Sequence, residues 1–229
     1  FIKSAFSQSE DKTKVYVLEI KAEIDPRMNR YISLAFEQAT AQGADVVLIE
    51  MDTYGGAVTD ANDIVETILD YDKPVFVFID KNAASAGALI SIACDSIYMA
   101  KGANIGAATV VSETGEAAPD KYQSYMRSMM RSTAETNGRN PKIAEAMVDQ
   151  TLEVDSISEK GRVITFTTSE AIKYGFCEAK VKSVDELLNH INVKNYSIIN
   201  FEQSKTEMII SWFLNPAISG VLIMIIIGG

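Results

Sequence analysis

One hydroxyl side chain stands where a buried strand is expected to turn into a helix. The run KPVFVFID (73–80) is apolar and predicts a buried strand, and KNAASAGALISIAC (81–94) predicts a helix with Ser85 at the turn. A serine hydroxyl is a weak nucleophile until a neighbouring base removes its proton. Either Ser85 simply begins the helix, or the chain also supplies a base and hydrogen-bond donors for an oxyanion.

Lysine is the more plausible base in this sequence. The single histidine, His190, lies in the amphipathic run VDELLNHI and is expected at an exposed helix end, so a Ser-His-Asp triad would need this late helix to fold back. A lysine works as a base only when neutral, which requires a desolvated pocket. Lys121 fits best, because it follows Ala-Ala-Pro and opens a long helix whose N-terminus disfavours positive charge. Lys101 and Lys81 are rivals, and a solvated surface charge is the alternative for each of the three.

Donors for an oxyanion are expected from two backbone segments. Gly55 and Gly56 follow a strand and let the backbone approach a substrate, and the N–H of Ala86 is free at a helix start. A bare turn is the alternative for Gly-Gly alone. Because ligands gather at the carboxyl ends of parallel strands, consecutive strands should bring these glycines next to Ser85.

The elements that must position these residues alternate between strand and helix. Strands are predicted at 14–20, 44–52, 74–79 and 96–100, and helices at 26–42, from Thr59 or Asp60 to Leu69, and at 85–94. A Gly- and Ala-rich loop follows (102–108). This β-α-β-α-β-α-β order predicts an α/β layered fold with a mostly parallel sheet. Further along, helices are predicted at 119–138, 141–150, 169–175 (capped by Ser169) and 183–191, with strands at 162–168 and 178–182 and a strand or linker at 195–202.

Composition excludes some functions. The 229 residues are 47% apolar with a formal net charge of −10, which suits one good-sized core and argues against nucleic-acid binding. Cys94 and Cys177 have no metal-ligand spacing and are interpreted as buried free thiols. A disulfide stays open as the alternative. Two cysteines and one histidine are too few for the usual zinc sites, and carboxylates could still hold other cations; we predict no metal site and no cofactor.

The C-terminal part differs in character. Residues 208–227 carry no charge, and about 20 apolar residues suffice for a helix to cross a bilayer. Trp212 suits the interface, and Pro216 is tolerated in membrane helices. We predict one α/β domain at 1–200, and a juxtamembrane segment with the start of a transmembrane helix at 201–229.

Several motifs taken together resemble one family. They are DTYGG (52–56), ASAGALIS (84–91), IGAA (105–108), APDK (118–121), NGRNPKIAEAMV (137–148) and SEAIKYGFCE (169–178). The pattern resembles the ClpP/crotonase superfamily, and within it the NfeD-type membrane-bound Ser-Lys proteases, over about residues 14–190. The resemblance implies Ser85 as the nucleophile, Lys121 as the general base, and Gly55, Gly56 and Ala86 as the oxyanion-hole region.

The same resemblance implies an extracytoplasmic, self-associating membrane protease that cleaves hydrophobic segments, notably of a stomatin-like (SPFH) partner. Relatives in the family often carry proline where Tyr54 stands, and their segment between Ile105 and Lys121, a mobile flap, is longer. Two other interpretations stay open: a catalytically inactive ClpP-like scaffold for a stomatin-like assembly, and a crotonase-type acyl-CoA enzyme.

Overall fold

The computed structural model describes residues 12–112, 114–154, 157–158, 161–215 and 218. Within these ranges the strands are β1 (Thr13–Ile20), β2 (Val46–Thr53), β3 (Val75–Ala84), β4 (Ser96–Met99), β5 (Asn104–Gly106), β6 (Thr165–Thr167), β7 (Ala179–Lys180) and β8 (Tyr196–Asn200). The helices are α1 (Pro26–Ala41), α2 (Val58–Leu69), α3 (Ala86–Ala93), α4 (Asp120–Thr136), α5 (Pro141–Ala146), α6 (Thr168–Lys173), α7 (Val184–His190) and α8 (Lys205–Leu214).

The strands form one sheet with the order β6-β5-β3-β2-β1-β8, and β4 and β7 continue from the first part of β3. All of these pairings are parallel except β5 with β6. Consecutive parallel strands need a crossover, and α1, α2 and α3 supply the first three. The predicted α/β fold with a mostly parallel sheet is confirmed.

Strand β3 changes partner along its length, and this change positions the candidate site. Its first half pairs with β4 (Phe76 opposite Ser96), whereas Asn82 to Ala84 pair with β5. A register irregularity between Met51 and Thr53 of β2 accompanies the change. The sequence analysis ended β3 at Ile79 and treated 102–108 as a loop. Both expectations were wrong at this point, because the short β5 extends the pairing up to Ser85.

Both faces of the sheet are covered. The larger core lies between the sheet and the helices α1 to α5, and every residue of α3 is buried. A smaller core on the other face joins Leu187 and Leu188 of α7 to Val17, Phe78 and Tyr98. Cys94 and Cys177 are free and buried, as predicted.

Some predicted element ends need correction. Helix α2 begins after Ala57 without a side-chain cap, and Asp60 lies inside its first turn, where its carboxylate accepts a hydrogen bond from Asn29. Helix α5 ends at Ala146 rather than near residue 150. Residues 196–200 form a strand, which settles the choice between strand and linker.

The predicted membrane segment falls largely outside the described residues, which include only 208–215 and 218 of the run 208–227. Helix α8 ends at Leu214, and Asn215 is extended. Across the described part of the chain, no helix has both the length and the apolar character needed to cross a bilayer. A continuous transmembrane helix is therefore not confirmed.

The cap of α6 gives a test of the fold. Thr167, and not the predicted Ser169, is the N-cap: its hydroxyl accepts from the N–H of Glu170, whose carboxylate accepts in return from the N–H of Thr167. Losing a hydroxyl cap costs about 1 kcal/mol. We expect Thr167→Ala to lower the free energy of unfolding by about that amount in urea titrations, and Ser169→Ala, at an exposed site, by less than about 0.5 kcal/mol.

The loss of unfolding free energy in Thr167→Ala should also depend on pH. The hydrogen bonds from the backbone and hydroxyl of Thr167 hold the pKa of Glu170 below its usual value. Because the pKa of Glu170 is lower in the folded chain than in the unfolded chain, its ionisation stabilises the fold at pH values above the unfolded-state pKa. This stabilisation is lost as the pH falls through the folded-state pKa. The effect of Thr167→Ala should therefore be largest at neutral pH and smaller in acid. Equal effects of the two alanine variants would contradict the cap assignment.

Candidate active site

Ser85 occupies a strained corner between β3 and α3. Its backbone has φ 55° and ψ −120°, in a region where residues other than glycine are uncommon. Such a conformation costs on the order of 1–3 kcal/mol and persists only where the surroundings enforce it. The N–H of Ser85 donates to the carbonyl of Gly106 (2.9 Å), and its hydroxyl makes no capping hydrogen bond to α3. The half-buried hydroxyl of Ser85 thus does not serve as an ordinary helix cap.

The glycine loop after β2 lies directly against this corner. A Cβ on Gly55 would stand 2.6 Å from the Cβ of Ser85, and a Cβ on Gly56 would stand 2.1 Å from the carbonyl oxygen of Ile24. Both glycines have positive φ, at 105° and 155°. The loop is held to the segment after β1, because Ile24 donates to the carbonyl of Gly55 (2.9 Å) and accepts from Ala57 (2.7 Å). No residue with a side chain fits at either glycine.

The two glycines differ in their backbone donors. The N–H of Gly55 donates to the hydroxyl of Thr53 (3.1 Å), which itself donates to the carbonyl of Ala22 (2.7 Å). The N–H groups of Gly56 and Ala86 form no hydrogen bond with the residues that the structure describes. Gly55 therefore permits the close approach, and Gly56 and Ala86 keep free donors beside Ser85. Thr53 had no predicted role, although it directly precedes Tyr-Gly-Gly in the sequence.

A groove of about 800 Å³ opens beside Ser85. Its walls are mostly apolar and include Ile24, Pro26, Ala57, Val58, Ala107, Val110, Val111 and Val163. Tyr54 projects at the rim with 81% of its surface exposed. Glu23 and Asp25 add acidic groups at one side. The groove suits an extended, largely apolar chain.

A small hairpin, of which residues 110–112 and 114–118 are described, forms one wall of this groove. The N–H of Ala118 donates to the carbonyl of Val110 (2.9 Å), and that of Ser112 donates to Glu116 (2.7 Å). Gln123 of α4 is buried beneath the hairpin: its amide oxygen accepts from the N–H of Val110 (3.0 Å), and its amide nitrogen donates to the carbonyls of Val110 (2.6 Å) and Ala118 (3.2 Å). Gln123 thus couples the hairpin to the first turn of α4.

Lys121 is not among the residues that line the groove beside Ser85. It is exposed and has its ammonium nitrogen 4.7 Å from the centre of the Tyr122 ring. The desolvated surroundings expected for this lysine are not found, because α4 turns Gln123 and Met126 inward and leaves Lys121 on its outer face. The structure brings together Ser85, both glycines and Ala86, and leaves Lys121 apart.

The other candidate bases do not line the groove either. Lys81 is exposed and pairs with Asp52 (3.4 Å), and Lys101 lies in an exposed turn. His190 is at the exposed end of α7, with its ring edge-on to Tyr98 at 6.0 Å. Among the described residues, no group of histidine, cysteine and acidic side chains has the geometry to hold a metal.

The far end of α3 is held by residues that the sequence analysis gave no role. Asn137 donates to the carbonyls of Ile92 (2.9 Å) and Ala93, and the buried guanidinium of Arg139 donates to those of Ile92 (3.0 Å) and Cys94 (2.9 Å). Burial lowers the pKa of Arg139, and Glu178 lies 3.6 Å away as its counter-charge. A cation at a helix C-terminus is electrostatically favourable. Asn137 and Arg139 both belong to the motif NGRNPKIAEAMV, which the sequence showed without indicating this contact.

The sheet order and the serine corner define a ClpP-like α/β protein. The solved structure of ClpP1 from Listeria monocytogenes covers 75% of this chain and 94% of its own, with a TM-score of 0.58 and 18% identity, which shows the shared fold. The family model for the NfeD1b N-terminal domain matches residues 14–201. The chain therefore belongs to the NfeD1b family, which confirms the resemblance to NfeD-type proteins.

Two curated relatives agree with this assignment. Membrane protein NfeD1b of Bacillus subtilis is 31% identical over 216 residues, which are 94% of this chain and 49% of that protein. Membrane-bound protease PH1510 of Pyrococcus horikoshii is 32% identical over a match of 193 residues, which covers 79% of this chain and 40% of that protein. The chain thus spans less than half the length of either relative.

Among solved structures, 1510-N, a membrane-bound stomatin-specific protease, is similar over 89% of this chain and 99% of its own. The TM-score is 0.75 and the identity 27%, for a lysine-to-alanine variant in complex with a substrate peptide. Another structure of 1510-N carries a serine-to-alanine replacement. The chain is similar to a protease, at an identity above that of ClpP1.

The support of α3 by Arg139 can be tested through stability. In Arg139→Ala, buried carbonyls at the end of α3 lose their donor and Glu178 loses its partner. Breaking a buried, hydrogen-bonded charge costs about 3 kcal/mol or more. We expect a loss of that size in denaturant titrations. Arg131→Ala is the matched control, because its pair with Glu145 is partly exposed and worth less than about 1 kcal/mol. Similar losses in both variants would contradict a special role for Arg139.

Proposed function

We propose that this chain carries a serine endopeptidase domain, with Ser85 as nucleophile and Lys121 as general base. The observation that carries the proposal is the strained Ser85 corner, held beside two N–H groups, of Gly56 and Ala86, that have no partner in the described part of the chain. Such donors stabilise the oxyanion of acyl transfer. A strained, uncapped serine at this position has no structural purpose of its own.

The relatives support this assignment. The curated relative PH1510 is named a membrane-bound protease. Structures of 1510-N exist with a serine replaced by alanine and with a lysine replaced by alanine, and the lysine variant holds a substrate peptide. Serine and lysine are the two residue types that the proposal assigns to the dyad. In this chain the family resemblance assigns these two roles to Ser85, in ASAG, and to Lys121, in APDK.

The mechanism needs Lys121 to approach Ser85. Since Gln123 joins the hairpin 110–118 to the first turn of α4, a substrate strand entering the groove can move the hairpin and the lysine together. In the closed site, neutral Lys121 Nζ takes the Oγ proton while Oγ attacks the peptide carbonyl, and the N–H groups of Gly56 and Ala86 bind the oxyanion. The protonated lysine gives its proton to the leaving amine. Water, deprotonated by the same lysine, then hydrolyses the acyl-serine.

The substrate proposal rests on the groove and on the relatives. The groove walls are apolar, and 1510-N is described as specific for a stomatin homologue. We infer that the substrate is a hydrophobic segment of a stomatin-like membrane protein. We further propose that the protease domain spans 1–200 and that 201–229 leads to a membrane. The domain would be extracytoplasmic and would associate with copies of itself.

A second function is favoured by one observation. Lys121 is exposed and apart from Ser85, as it would be in a domain that binds a stomatin-like partner without cutting it. Such a scaffold would keep the groove but would not cleave the peptides that bind there.

A crotonase-type enzyme is the other alternative, because it shares the fold. Binding of coenzyme A would identify it.

The dyad is tested with the purified chain and an apolar peptide. We expect Ser85→Ala and Lys121→Ala each to reduce cleavage at least about a thousandfold, since removing a nucleophile or its base leaves little catalysis. A fluorophosphonate should label the wild type and not Ser85→Ala. Ser112→Ala, at another groove hydroxyl, and Lys101→Ala, at another exposed lysine, should keep near-normal rates.

Full cleavage by Lys121→Ala would remove this lysine from the role of base. A folded wild type that binds the peptide but neither cleaves it nor reacts with the fluorophosphonate would favour the scaffold. For the substrate class, mass spectrometry should find defined products from the apolar C-terminal peptide of a stomatin-like protein, and none from the same peptide with its apolar residues replaced by serine.

A further inference from the structure

Helix α8 has two distinct faces. One face is half-buried and consists of Glu207, Ile210, Ser211 and Leu214, at the spacing of a single helical stripe. This face lies on α1, where the guanidinium of Arg30 donates to both carboxylate oxygens of Glu207 (2.8 and 3.0 Å). Planar bidentate pairs of this kind fix orientation as well as distance. The docked face of α8 is therefore defined by a specific contact.

The opposite face of α8 is apolar and points away from the domain. It carries Met208, Ile209, Trp212 and Phe213, which are 52%, 61%, 56% and 50% exposed. The rings of Trp212 and Phe213 meet edge to face at 5.0 Å, so the four side chains form one continuous patch. We call these four residues the α8 stripe. Large adjacent apolar side chains on a surface mark a site that contacts a partner or a membrane.

The chain on either side of α8 indicates which of these covers the stripe. The ten residues of α8 extend about 15 Å, half the thickness of a bilayer core. Asn215 is extended, and a new turn begins after it, where the N–H of Ile218 donates to the carbonyl of Asn215 (3.0 Å). In the sequence, the residues from 217 to 227 carry no charge and are mostly Ile, Leu, Val and Met. The stripe thus directly precedes a run suited to lipid.

We propose that α8 lies in the plane of a membrane surface, with the α8 stripe inserted at the boundary between lipid headgroups and acyl chains. A helix with one apolar and one polar face binds there with its apolar side buried by about 5–10 Å. Trp212 suits this depth, because indole prefers the interface. The Arg30–Glu207 pair holds α1, and with it the domain, above the embedded helix.

This placement has a consequence for the candidate active site. Ser211 of α8 and Asp25 line a common depression, and Asp25 also lines the groove of Ser85. The groove therefore opens next to the helix that rests on the lipid, so a segment leaving the bilayer reaches it directly. The docking of α8 does not depend on the proposed peptidase activity.

Trp212 is the only tryptophan of the chain, so its fluorescence reports on the stripe alone. The experiment uses the full chain and phosphatidylcholine vesicles, which suit a chain of net charge −10 better than anionic lipid would. We expect a blue shift of the emission on addition of vesicles. A nitroxide placed on the lipid near the headgroup should quench about twofold more than one near the end of the acyl chain, as expected for an interfacial depth.

The matched control moves the reporter to the docked face, by combining Trp212→Phe with Ile210→Trp. Its emission should respond to neither nitroxide, because residue 210 faces α1. Stronger quenching by the deep nitroxide would place α8 across the bilayer and overturn the proposal. Equal quenching of both reporters or absence of vesicle binding would also overturn the proposal. A blue shift that depends on protein concentration in the absence of lipid would overturn it as well, because it would show that a second copy of the chain covers the α8 stripe.

Discussion

The site depends on the contact between the backbone of Gly55 and Ser85. A Cβ at Gly55 would overlap that of Ser85, so only glycine lets the two strand ends meet. The contact exists because β3 leaves β4 and pairs with β5, and Gly106 of β5 then holds the N–H of Ser85. The strain at Ser85 is thus maintained from two sides, by a neighbouring strand and a neighbouring loop. Such enforced strain is typical of functional positions.

The two halves of the proposed dyad differ in how firmly they are held. Helix α3 is buried over its whole length, and its C-terminal carbonyls are bound by Asn137 and Arg139. Its N-terminal donors therefore have a fixed position, which favours electrostatic stabilisation without reorganisation. Lys121 instead lies at the start of a helix joined to a hairpin through Gln123. The side chain of Lys121 itself is exposed, whereas Ser85 lies at the start of a fully buried helix.

The sequence predicted the parts of the fold that depend on local pattern. Apolar strands alternating with helices predicted the parallel sheet, and carboxyl ends of neighbouring strands predicted that Gly55, Gly56 and Ser85 would meet. Features set by tertiary pairing were missed. Strand β5 is three residues long and has no periodicity of its own, and the outward position of Lys121 depends on the inward hydrogen bonds of Gln123. Arg139 was missed because a charged side chain indicates surface unless its partners are known.

The short segment after β1 connects the candidate active site with the proposed membrane contact. Ile24 binds the backbone on both sides of Gly56, Asp25 caps α1 and lines the groove, and Arg30 of the same helix binds Glu207 of α8. A displacement of α8 would therefore act on α1 and, through Ile24, on the loop that carries the free N–H of Gly56. The proposed lipid contact and the proposed oxyanion donors are thus linked through α1 and the segment that precedes it. A domain that cuts segments leaving a bilayer would gain from this link, because its donors would be fixed relative to the membrane surface.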